Sequence, residues 1–127
     1  MQERRLYEYA VIRVVPRVER EEFLNVGVVL YGASTKFLQV RYTVSEAKLS
    51  LFAPQLDIAE IAQHLAAFDR IAKADPSAGP IALLPAPERF RWLTAVRSTM
   101  VQTSKVHSGF CRDCEDEVER LFGQLVL

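Results

Sequence analysis

Charge of one sign, cysteine in any number and long apolar runs are what this sequence lacks. Sixteen Lys and Arg balance sixteen Asp and Glu, for a formal net charge of zero, so no global field gathers nucleic acid or an anionic membrane surface. Any basic binding surface must therefore be local. No apolar run approaches the ~20 residues that cross a bilayer, and the opening MQERRLYEYA is charged with no apolar signal segment behind it. The expectation is a soluble, cytoplasmic protein with no membrane partner. Only two cysteines occur, three positions apart, which is not how a secreted disulfide framework staples a small fold. No internal repeat, no low-complexity tract and no GxSxG elbow is present, so nothing announces a solenoid or an α/β-hydrolase nucleophile.

What is there is ordinary core-building material. The chain has 127 residues, half of them apolar and a quarter charged, the range of one domain over residues 1–127 with a single core. YEYAVIRVV (7–15) is aromatic and β-branched before Pro16, the mark of a strand. VGVVLYG (26–32) is a nearly continuous apolar run, a central strand covered on both faces. In FLQVRYT, Leu38, Val40 and Tyr42 alternate with Gln39, Arg41 and Thr43, giving a strand with one buried face, and the short ASTK connection favours an antiparallel hairpin.

The period then changes. Ile58, Ile61, Leu65, Phe68 and Ala72 recur at gaps of three and four, Asp57 with Glu60 reads as a capping box, and Pro76 follows as a stop. ADPSAGPIALLPAP reads as an ordered loop, and ERFRWLTAV (88–96) as a short helical turn or the approach to a strand. Arg97 to Ser108 reads as a polar strand. Asp113 caps a last helix whose stripe is Val118, Leu121, Phe122 and Leu125. The fold class expected is α+β: a single domain, an antiparallel sheet of about four strands, and helices packed on one face.

The polar segment is where chemistry would lie. As a strand it points Arg97, Thr99, Thr103, Lys105 and His107 one way and Ser98, Gln102, Ser104 and Ser108 the other. Hydroxyls and a guanidinium suit an anion, whereas a solvent-facing edge strand explains the same composition. Arg13, inside AVIRVV, needs a partner if buried, and Glu19, Glu21 and Glu22 are near in sequence. Asn25 can fix a turn, and Gly27 marks a bulge or a close approach by another backbone. Trp92 packs in the core or stacks a base. Cys111 and Cys114 form a CxxC at a helix start, with His107 the only nearby supplement; two ligands and a histidine fall short of a zinc site, and packed or exposed thiols are the simpler account. No cofactor and no metal is expected.

Two blocks, YEYAVIRVVPRVEREEFLNVGVVLYG (7–32) and RFRWLTAVRSTMVQTSKVHSGFCRDCEDEVERLFGQLV (89–126), and within them EFLNVGVVL and WLTAVRSTMVQTSKVHSG, resemble the small bacterial proteins grouped as domain of unknown function 3037. The resemblance departs at Val96 and Lys105, where such proteins often carry proline. It implies no activity; it implies a role beside HipA-like kinase-fold proteins, hence a partner-binding accessory module. Glu22, Asn25, Arg97, Ser98, Thr99, Gln102, Ser104, His107 and Ser108 form the expected binding set. The alternative is a small binder or enzyme acting on a phosphate-bearing ligand or nucleic acid, with Arg97, His107 and the hydroxyls holding the anion.

Overall fold

A computed structural model describes residues 4–127. Three strands follow one another as an antiparallel meander: β1 (Arg5–Val14), β2 (Leu24–Gly32) and β3 (Phe37–Tyr42). The β2–β3 turn is tight because Ala33–Thr35 form one 3-10 turn, closed by Lys36 in the left-handed region. Two short strands, β4 (Val101–Thr103) and β5 (His107–Cys111), share the other edge of β1, giving the order β3-β2-β1-β4 with β5 beside the first half of β1. The expected strand from Arg97 to Ser108 is thus corrected. Arg97 to Met100 are outside the sheet, and the chain leaves it again from Ser104 to Val106.

Gly27 does both things its position implied. The β1–β2 register shifts opposite it, between Ile12 and Arg13, and a Cβ there would lie 2.8 Å from the Arg41 carbonyl oxygen and 2.9 Å from Tyr42 Cβ. The bulge lets Leu24 and Val26 face the same core as Val29 and Tyr31, which strict alternation would forbid.

Four helices complete the chain: α1 (Glu46–Phe52), α2 (Ile58–Ala72), α3 (Ala86–Leu93) and α4 (Cys114–Leu125). Each polar cap acts as its chemistry predicts: Ser45 Oγ accepts from Lys48 N–H at 3.3 Å, Asp57 Oδ1 from Glu60 at 3.2 Å, and Asp113 Oδ1 from Glu115 at 3.0 Å. Within VSEAKLSLFAP, α1 has no long apolar stripe to betray it, and only Leu49 is buried. At the far end of α2, Arg89 donates to the carbonyls of Ile71 and Ala72 at 3.0 and 2.7 Å, and to that of Leu84. This ties the proline-rich turns and α3 to the helix end.

Two cores share the sheet. On one face Ala10, Ile12, Val14, Val29 and Val40 meet Leu49, Ile61, Leu65, Phe68, Phe90 and Leu93 from α1, α2 and α3. On the other, Tyr7, Val28 and Leu30 meet Val118, Leu121 and Phe122 of α4. The α+β class with an antiparallel sheet is as expected, but α4 covers the face opposite the other helices. The continuous apolar run of β2 requires this, because Val28, Val29 and Leu30 are all fully buried and alternate between faces. No helix among the described residues is long and apolar enough to cross a membrane.

Candidate functional site

Thr94 ends α3, its hydroxyl donating to the Phe90 carbonyl at 2.9 Å. From there Ala95 to Ser98 run without regular structure and cross the flank of α2 before Val101 enters β4. Arg97 is held there by aromatic rings: its guanidinium carbon lies 4.6 Å from the Trp92 ring centroid and 5.2 Å from that of Phe68, and it donates to the Trp92 carbonyl. The rings stand edge to face, 6.3 Å apart. Desolvation lowers the Arg97 pKa from its ordinary value, yet a guanidinium stays charged at neutral pH.

Beside this cation runs an open groove of about 500 Å³, lined mainly by His64, Phe68, Trp92, Val96, Arg97 and Thr99, with alanines and Val101 between them and no carboxylate. Val96 is fully exposed and Trp92 is 37% exposed. The groove can take an apolar side chain with a carboxylate beside it. His64 and Phe68, one turn apart on α2, join it because α2 turns a second flank outward next to its buried stripe. In the sequence His64 falls outside the apolar stripe of Ile58, Ile61, Leu65, Phe68 and Ala72. An i, i+3, i+4 set of His64, Ala67 and Phe68 was the available signal.

A second polar feature lies on the other sheet face. Asn25, Arg13 and Gln102 stand in one row across β2, β1 and β4. Arg13 is not paired with a glutamate as the sequence implied: Arg20 takes Glu22, and the Arg13 guanidinium instead stacks 3.9 Å from the Phe23 centroid. Asn25 ties down α4, its Nδ2 donating to the Leu125 carbonyl at 3.1 Å.

The nine expected binding residues do not share one depression. Arg97 and Thr99 line the groove; Gln102 lines a hollow with Arg13 and Phe23; Glu22 lines another beside Pro16 and Phe52. Several are engaged with backbone. Thr99 Oγ1 donates to the Val101 carbonyl at 2.8 Å, and Gln102 Nε2 to that of Thr99 at 2.8 Å. Ser104 Oγ accepts from Val11 N–H at 2.9 Å and donates to the Lys105 carbonyl at 2.9 Å. Ser98 and Ser108 are exposed, and His107, also exposed, sits 5.4 Å from the Tyr9 ring. Among the described residues no cluster of three or more His, Cys, Asp or Glu side chains is placed to hold a metal ion.

A family model described as "Protein of unknown function (DUF3037)" matches residues 9–126. No curated protein and no solved structure matches the chain.

Proposed function

The chain belongs to the DUF3037 family, and from that premise we propose that it is a partner-binding module that docks a protein through the groove beside Arg97. The observation carrying this is a cation pinned between Trp92 and Phe68 at an apolar groove with no carboxylate of its own. Trp and Arg in that arrangement are the side chains that dominate binding energy at protein interfaces. The partner then presents a large apolar side chain beside an Asp or Glu. The resemblance to small bacterial companions of HipA-like kinase-fold proteins makes such a protein the first partner to try.

The phosphate or nucleic-acid reading has less support. It needs the hydroxyls of the 97–108 segment to converge on Arg97, whereas Thr99 and Ser104 spend theirs on backbone carbonyls and the segment is split between two strands and a loop. The test is co-expression with a HipA-like kinase-fold protein, followed by titration calorimetry. Arg97→Ala and Trp92→Ala should each weaken binding at least tenfold, about 1.4 kcal/mol, and Arg97→Glu should abolish it. No association between two folded proteins, or an Arg97→Glu variant that binds normally, refutes the proposal.

A further inference from the structure

The two cysteines, which the docking groove does not use, have a geometry the sequence did not disclose. Cys111 ends β5 and Cys114 opens α4, with only Arg112 and Asp113 between. Pairing of Arg5 with Cys111 fixes the first, and the Asp113 cap turns the second inward. Both are free thiols, both are buried, and their sulfurs lie 3.9 Å apart. The space for Cys114 is left by Gly32 on β2, where a Cβ would come within 2.6 Å of Sγ. The thiols reach solvent through an open depression of about 550 Å³, which they line together with Arg5, Thr35 and the first turn of α4.

We infer that Cys111 and Cys114 are a reversible redox-modification site, closing to an intramolecular disulfide by exchange with a low-molecular-weight disulfide of the glutathione class. One cysteine loses its proton to solvent, and its thiolate attacks a sulfur of the small disulfide, expelling one small thiolate and leaving a mixed disulfide. The second cysteine, deprotonated in turn, attacks the Sγ of the first cysteine and expels the second small thiolate. Both released thiolates take up protons. Two cysteine thiols are oxidised by two electrons, and one small disulfide is reduced to two thiols.

Sulfurs bonded at about 2.05 Å require the pair to close by about 2 Å from their 3.9 Å separation. Closure fastens the end of β5 to the start of α4. The site lies in the core under α4, across the sheet from the groove, so it stands independently of the docking proposal. Burial, followed by the neighbouring Cys114 and then by Glu117 and Asp113, pushes the Cys111 thiol up to about 11. Arg5, Arg112 and Asp116 also face the depression. The pair therefore exchanges slowly at neutral pH and faster as pH rises, unlike a thiol activated for catalysis.

The experiment equilibrates the reduced protein with graded ratios of glutathione disulfide to glutathione, traps remaining thiols by alkylation, and weighs the products. Expected is a doubly alkylated protein giving way to an unalkylated one lighter than the reduced chain by two hydrogens, without bound glutathione and reversed by dithiothreitol. Cys111→Ser should give at most a single mixed disulfide. A separate measurement on the wild type adds phenylarsine oxide, which should bridge both thiols in one adduct. Retained glutathione on the wild type, a disulfide-linked dimer, two alkylated cysteines at every ratio, or no arsenical bridging overturns the inference, whether or not the serine variant folds.

Discussion

Ser104 belongs to the polar segment that looks functional in sequence, and its environment makes it structural. Where the chain leaves the sheet after β4, the Ser104 N–H still donates to the Val11 carbonyl at 2.8 Å. In return the Val11 N–H donates to the Ser104 hydroxyl oxygen, a side chain standing in for a ladder carbonyl. Val11 is only 8% exposed, so in Ser104→Ala this amide loses its acceptor where water replaces it poorly. An unsatisfied buried donor costs about 1–3 kcal/mol. With an unfolding entropy of roughly 2.1 cal/mol/K per residue over 127 residues, the melting temperature should fall by about 4–11 °C. Ser104→Thr keeps the hydroxyl and should stay near wild type. Amide hydrogen exchange supplies the specific readout: the Val11 amide should lose protection in Ser104→Ala while Ile12, paired through Gly27 of β2, keeps it. A melting temperature within about 1 °C of wild type, or unchanged Val11 protection, refutes the reasoning.

Three further outcomes follow from the packing. Glu117 receives hydrogen bonds from Arg120 and from the Tyr7 hydroxyl, and chiefly the Arg120 bond holds its carboxyl below the ordinary glutamate value. Its contribution is present above about pH 4.3, the unfolded value, and is lost as pH falls through the lower folded value. Urea unfolding across pH 2–7 should therefore show Glu117→Gln less stable than wild type at neutral pH, with the gap closing in acid; a pH-independent gap contradicts this. Gly27→Ala drives a methyl group into the Arg41 carbonyl and Tyr42 and should cost about 1–3 kcal/mol as overpacking, read as a lower urea midpoint. Leu65→Ala empties a fully buried position of α2 and should cost about 2–5 kcal/mol. A loss below 1 kcal/mol would refute close packing around Leu65 in the α2 core.

The elements with strong periodicity were legible. The α2 stripe, the Asp57 and Asp113 caps and the β2 run all appear where their patterns put them. Helix α1 escaped because seven residues with one buried side chain carry too little period. The polar segment was read as one strand because alternation cannot see a chain leaving its neighbour; that depends on where β1 offers partners. Arg97 and Thr99, two positions apart, both line the groove, but His64 and Phe68 come to it from about thirty residues upstream.

Sequence alone therefore determined the inventory: an α+β chain, its principal helices and strands, their caps, and the segment richest in polar side chains. These follow from local periodicity and turn chemistry, which act over a few residues. Tertiary structure decided the rest, because pairing Arg5 with Cys111 and Arg13 with Gln102 joins residues about ninety or more positions apart. That pairing sets α4 on its own face of the sheet and turns Ser104 into a ladder acceptor. It also buries two thiols side by side, and leaves Arg97 on its aromatic seat facing outward.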